Sequence, residues 1–196
     1  MSTADLYSLM TDLMPNLELL WPDPSKKWQV RGPEVHVWAV DLNQSIGYIS
    51  FFEESLAPDE LDRASKFYFE RDRLRFIAGK GILRQILSSY LEIEPSQLHF
   101  RYGSHGKPYL IGTQAVSSLH FNVTHAEDLL LVSVTRACAV GIDVEQVRPI
   151  PELEHIVHRY FLTRESAGLL ALPPQQQPRA CFQLWTRKEA RLKATG

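Results

Sequence analysis

The run from residue 58 to residue 90 constrains the fold more than any other stretch of this chain. Pro58, followed by acidic Asp59, Glu60 and Asp62, suits a helix start, where a missing N–H costs nothing and negative charge meets the positive end of the peptide dipoles. Leu61, Ala64, Phe67 and Tyr68, then Leu74, Ile77, Ala78, Leu83, Ile86 and Leu87, recur at helical spacing, and the polar step from Glu70 to Asp72 predicts a break into two helices. An amphipathic block of this length needs an apolar surface to lie on. The flanks offer one: residues 35–40 alternate as a strand and 47–52 are expected to form a second. Beyond Pro95 come short runs bounded by turns, at 98–102, 108–111, 119–123, 129–135 and 139–145, expected as strands of one or two sheets.

Helical texture returns at 153–160 and 163–172, and a Pro/Gln-rich loop at 173–178 precedes a final helix predicted from about Arg179 to Lys193. Helix and strand blocks therefore occur twice, which predicts an α+β protein of two similar small halves, residues 35–137 and 138–196, after a lead of residues 1–34. The lead carries Leu/Met pairs and the punctuated Trp21-Pro22-Asp23-Pro24, and is expected to pack on the body rather than form a domain.

Charge and cysteine usage narrow the function. The chain has 21 Lys+Arg against 23 Asp+Glu, a formal net charge of −2, so it lacks the basic excess that generic binding to nucleic acid or an anionic membrane needs, and any anion site must be local. Cys138 and Cys181 are too few for a disulfide framework and lack zinc spacing, which points to a reducing cytoplasm. No apolar run approaches the ~20 residues of a membrane span. Asp5, Asp12 and Glu18 precede the first basic residue, Lys26, the reverse of a signal peptide.

Four constellations could carry chemistry. In Gly141-Ile142-Asp143-Val144-Glu145, a strand would put Asp143 and Glu145 on one side, about 7 Å apart, beside the small Ala139 and Gly141. Two such carboxylates suit magnesium, which takes one or two acids and completes its shell with water and phosphate oxygens; a solvated edge strand fits the same pattern. In the segment from Trp185 to Lys193, Trp185, Glu189 and Lys193 share a helix face bordered by Lys188. A carboxylate among cations can serve a phosphate site as ligand or base, although Glu189 and Lys193 also form an ordinary i,i+4 pair. Phe121-Asn122-Val123-Thr124-His125 ends a predicted strand with a hydroxyl and an imidazole, and Gly106-Lys107-Pro108 is a turn with a lysine at its tip; both also read as solvated loop. Arg71, Arg73, Arg75 and Lys80 crowd one helical segment as a phosphate receptor or a wet face.

Taken in order, Gly106-Lys107-Pro108, Phe121-Asn122-x-Thr124-His125, Gly141-Ile142-Asp143-Val144-Glu145 and Trp185-x-x-Lys188-Glu189-Ala190-x-x-Lys193-x-x-Gly196 resemble the 4'-phosphopantetheinyl transferases of the surfactin-synthetase-activating type. The resemblance covers roughly residues 58–196. It implies a monomer of two α+β halves related by a pseudo-twofold, with coenzyme A in the cleft between them, and transfer of the phosphopantetheine arm to a serine of an acyl or peptidyl carrier protein. It further implies magnesium on Asp143, Glu145 and Glu189, with Glu189 also taking the serine proton. Arg75, Lys107, Thr124 and His125 would surround the adenosine and its 3'-phosphate, and Lys188 and Lys193 would lie near the reacting phosphates. The chain departs from the family pattern at Ala126, where a serine is common, and at Glu60, where some members place a lysine. Members also continue into further strands past the last lysine motif, so the second half is expected to be shortened.

Two other classes compete with transfer. The same carboxylates and lysines would serve a metal-dependent hydrolase of nucleotide pyrophosphates, and a non-catalytic module would bind carriers through its helices. The expected carrier dock is Arg159, Tyr160, Phe161, Leu162 and Arg164, which mix cations with apolar surface.

Overall fold

The alternating segment Val35–Asp41 forms strand β1 in the computed structural model, which describes residues 27–112 and 118–195. The lead through residue 26 and Gly196 lie outside the described residues. Strands β4 (His120–Ala126) and β5 (Leu129–Thr135) are joined by a tight turn, and β1 pairs antiparallel with β5, giving the order β1-β5-β4. The register sets Trp38 opposite Val132, Val40 opposite Leu130, and Phe121 opposite Val134. Because side chains alternate across a strand, these residues line one face of the sheet.

That face shares a core with the long helix expected from the periodicity. The break comes at residues 66–69, just before the expected polar step, which opens the second helix instead: α2 spans Pro58–Ser65 and α3 spans Glu70–Leu91, with Ile77, Ala78, Ile82, Leu83, Ile86 and Leu87 of α3 buried in the same cluster as Trp38, Val40, Val132 and Val134. A buried ion pair binds α2 to α3. The Glu60 Oε2 atom accepts from Arg84 Nε at 2.8 Å and lies 2.7 Å from its Nη2, and it also takes the Ala57 N–H at the start of α2. The Arg84 Nη1 donates to the carbonyls of Pro95 and Leu98, which satisfies the guanidinium that α3 has carried into the core. Glu60 is thus a structural clamp, which accounts for a carboxylate at a position that otherwise invites a rim cation.

Two expected strands are not formed. Residues 47–52 belong to a 3-10 turn (Asn43–Tyr48) and a short helix α1 (Ile49–Glu53). A short apolar run cannot be assigned by period alone; here Phe52 sits against α3 where a Cβ on Gly81 would lie 2.4 Å from its own Cβ. Residues 139–145 are extended but join no ladder. The segment crosses the second face of the sheet, where side chains of β4 meet it, the Asn122 Oδ1 accepting the Ile142 N–H at 2.9 Å. It meets β4 through side chains and its other neighbour is helix backbone, so its own backbone enters no ladder.

Strands β2 (Phe100–Tyr102) and β3 (Pro108–Leu110) make a separate hairpin. The remaining described residues form α4 (Leu153–Tyr160), α5 (Thr163–Leu170) and α6 (Gln177–Thr195) around a small core of Val157, Phe161, Leu169 and Cys181, flanked by Trp185. The mixed α and β class is as expected. The described residues from 138 onward hold helices and an extended segment but no strand, so they do not form a second sheet. No helix among the described residues is long and apolar enough to cross a membrane.

Candidate active site

Gly141 brings the acidic segment against α6. A Cβ there would stand 1.9 Å from the Ala190 carbonyl oxygen and 2.6 Å from the Ala194 nitrogen, so only glycine lets the two backbones meet at this distance. The small Ala190 and Ala194 on the facing side of α6 permit the same approach. The next side chains along the segment are thereby delivered to the residues of α6.

Asp143 is the focus of this contact. Its side chain is 7% exposed; its Oδ1 accepts from Lys193 Nζ at 2.5 Å and from Thr124 Oγ1 at 3.2 Å, and Lys193 also reaches Thr124 Oγ1 at 3.3 Å. Three elements, β4, the extended segment and α6, so converge on one carboxylate. The Asp143 Oδ2 atom is buried and has no hydrogen-bond partner. A buried carboxylate oxygen without a donor is costly, and a bound cation is one way of meeting that cost. Glu145 and Glu189 are half-buried. No three His, Cys, Asp or Glu side chains are gathered as a cluster among the described residues. Magnesium fits such a sparse donor set, since it commonly keeps several waters and phosphate oxygens.

Lys107, expected at a turn tip, instead closes the β2–β3 turn beside β3, where its carbonyl accepts the Gly103 N–H, and its side chain is braced rather than free. Its ammonium donates to the Val140 carbonyl at 3.2 Å and to the Lys193 carbonyl, tying the hairpin to both partners of the Gly141 contact. Burial holds its pKa below the usual lysine value. Lys188 is engaged by Glu165, with N and O 2.5 Å apart, and lies 4.8 Å from the centre of the Phe161 ring. That lysine, and then the Leu162 N–H, lower the Glu165 pKa. Phe161 belongs to the core between α4 and α6, so it is not surface for a partner; Tyr160 and Leu162 beside it are 51% and 69% exposed.

Arg75 and His125 meet in a cleft of about 540 Å³ on the α3 side of the sheet, lined also by Arg63, Arg71, Lys80, Phe76 and Tyr102. Strand alternation explains why Thr124 is not with them: His125 faces α3, whereas Thr124 faces Asp143. Arg75 forms an ion pair with Asp128 and lies 3.9 Å from Glu127, so the turn after β4 supplies two acids to it. The residues expected at the nucleotide end are therefore divided. Arg75 and His125 line the cleft, while Lys107 and Thr124 brace the Asp143 side. Glu165 and Asn122 had no role in the sequence reading; Asn122 stood within a quoted motif, and Glu165 follows the Thr163 helix start at the spacing of an acid that bonds backbone there.

A carboxylate poised for a cation beside a lysine, together with a cation-lined cleft, is an arrangement suited to phosphate esters. Residues 44–136 match the family described as 4'-phosphopantetheinyl transferase, N-terminal, and residues 139–196 match the 4'-phosphopantetheinyl transferase superfamily. The chain is 44% identical over 182 residues to the 4'-phosphopantetheinyl transferase HetI of Nostoc sp., which covers 93% of this chain and 72% of that protein. It is 34% identical over 133 residues to the 4'-phosphopantetheinyl transferase psf-1 of Bacillus pumilus, covering 68% of this chain and 54% of that one. With the 4'-phosphopantetheinyl transferase Sfp of Bacillus subtilis the identity is 28% over 145 residues, covering 74% of this chain and 62% of Sfp. The chain belongs to the 4'-phosphopantetheinyl transferases, a family of enzymes.

Proposed function

We propose that this chain transfers the 4'-phosphopantetheine arm of coenzyme A to a serine of an acyl or peptidyl carrier protein and releases adenosine 3',5'-bisphosphate. The observation that carries the reading is the unpartnered, buried Asp143 Oδ2 next to Lys193, in a chain of this family. Asp143, with Glu145 and Glu189, would hold magnesium, which when bound supplies positive charge against the pyrophosphate. Attack of a serine hydroxyl on a phosphoanhydride needs positioning and charge neutralisation more than covalent help.

The chain's own groups cover the remaining tasks. Glu189 takes the proton of the carrier serine. Lys193, held by Asp143 and Thr124, presents its ammonium to phosphate oxygens as a point charge, and Lys188, steadied by Glu165, does the same from the preceding turn of α6. Arg75 and His125 bound the adenosine end in the α3 cleft. Lys107 maintains the contact between the Gly141 segment and α6. Exposed Tyr160 and Leu162, with Arg159 and Arg164, receive the acidic carrier helix, and the enzyme works as a cytoplasmic monomer without nucleic acid or membrane.

The test is intact-mass analysis of an apo carrier incubated with this protein, coenzyme A and magnesium. A gain of one phosphopantetheinyl group supports the reading. Breakdown of coenzyme A with no change in the carrier would mark a hydrolase instead, and carrier binding indifferent to both magnesium and coenzyme A a non-catalytic module.

A further inference from the structure

Each of residues 140–143 is held by a different part of the protein. Lys107 donates to the Val140 carbonyl at 3.2 Å, the Ala190 backbone bounds Gly141, Asn122 Oδ1 accepts the Ile142 N–H at 2.9 Å, and Thr124 and Lys193 donate to the Asp143 carboxylate. The segment joins neither sheet, so these contacts, rather than strand pairing, set its place along β4.

These holds are not equally stiff. Lys107 and Lys193 end long flexible stems with rotatable donors, and the Gly141 contact limits how near two backbones come without fixing the segment along α6. Thr124 bonds the Asp143 side chain, which turns about its own single bonds. Asn122 differs on each count. It is 3% exposed and sits on a strand paired with β5, opposite Ser133, whose hydroxyl donates to the Asn122 carbonyl at 3.4 Å. Its side chain grips backbone, one residue before Asp143. Alternation puts it on the same face of β4 as Thr124, so that face presents an acceptor to Ile142 and a donor to Asp143. An amide oxygen accepts the N–H without adding negative charge next to Asp143.

We infer that Asn122 is a positioning residue for the metal site: through the Ile142 N–H it sets the backbone from which Asp143 presents its unpartnered Oδ2 to magnesium. The inference rests on the reading of Asp143 as a magnesium ligand. Magnesium demands near-octahedral geometry at about 2.0–2.1 Å, so a carboxylate carried on a segment that slides along β4 binds it less well. Asn122 itself touches neither metal nor substrate; it acts through the segment.

Calorimetric titration of magnesium into the wild type, Asn122→Ala and Asn122→Asp, with coenzyme A present and carrier omitted, tests it without turnover, and hydrogen exchange at the Ile142 amide reads the bond itself. In Asn122→Ala the Ile142 amide exchanges faster and magnesium affinity falls about tenfold or more, the scale of losing a group that orients a metal ligand. The magnesium needed for half-maximal transfer rises by the same factor, while kcat at saturating magnesium stays within a few-fold. Asn122→Asp keeps an acceptor in the same place and restores both the protection of the amide and the affinity. A merely structural role would lower the melting temperature and leave the magnesium requirement unchanged. A folded Asn122→Ala with wild-type magnesium affinity, or with kcat lowered at an unchanged magnesium requirement, overturns the inference while the metal reading stands. If Asn122→Ala does not fold, Asn122→Asp decides: loss of Ile142 protection or of magnesium affinity in that variant overturns it equally. If the wild type takes up no magnesium with coenzyme A present, the metal reading of Asp143 fails and the inference falls with it.

Discussion

Gly141 and Ala190 touch through their backbones: a Cβ on Gly141 would stand 1.9 Å from the Ala190 carbonyl oxygen. The obstacle is main chain, which cannot rotate away as a side chain does. This contact places Asp143 beside Lys193, and the site depends on it.

Gly141→Ala should therefore push the extended segment off α6, costing about 1–3 kcal/mol of stability, as overpacking does. Transfer should fall by more than the loss of folded protein explains, because Asp143 moves with the segment. Thermal unfolding and kcat on the same preparation check this; a variant with wild-type melting and turnover would show that the close contact is not needed.

Asp143→Asn keeps the shape of the side chain and removes its charge, so the fold should persist. Turnover should fall roughly 100-fold or more, the scale of removing one group that stabilises transition-state charge, and raising magnesium should not restore it. Turnover within a few-fold of wild type at limiting magnesium would remove Asp143 from the metal assignment.

The Glu60–Arg84 pair makes a prediction about stability. Glu60→Gln leaves Arg84, whose side chain is 1% exposed, without its countercharge, and breaking a buried pair from one side costs about 3–5 kcal/mol. Chemical denaturation should show a loss of that order. A loss below about 1 kcal/mol, typical of an exposed pair, would mean that the clamp contributes little.

Glu165 and Lys188 can be tested by titration. The lysine, and then the Leu162 N–H, hold the Glu165 pKa below the ordinary carboxylate value in the folded protein. The sign follows from linkage: the stabilisation is fully present above the unfolded glutamate pKa and is lost as pH falls through the lower, folded value. Carboxyl NMR titration should find Glu165 moving back up in Lys188→Met. An unchanged titration would show that the pair does not form in solution.

The parts that were legible in the sequence were those set by local pattern. The Asp/Glu-rich start after Pro58 and the helical stripe define α2 and α3, although the polar step at 70–72 opens α3 rather than interrupting it, and residues 129–135 are the observed limits of β5. Residues 139–145 misled because a segment held between β4 side chains and a helix alternates just as a strand does, with the small Gly141 against the helix backbone and the acids Asp143 and Glu145 following it at the same period. The site was legible only as an order of motifs. Asp143 and Lys193 lie 50 residues apart, and no spacing rule joins them. The engagement of Lys188 by Glu165, and of Lys107 by two carbonyls, depends on how α5, α6 and the hairpin approach, which local periodicity does not encode.

The most direct measurement of the central claim is a stoichiometry. In one reaction with apo carrier, coenzyme A and magnesium, the adenosine 3',5'-bisphosphate released is quantified against the phosphopantetheinylated carrier formed. The account predicts equal amounts, with both falling together in Asp143→Asn. Nucleotide released well in excess of modified carrier, or released at the same rate with the carrier omitted, would contradict it.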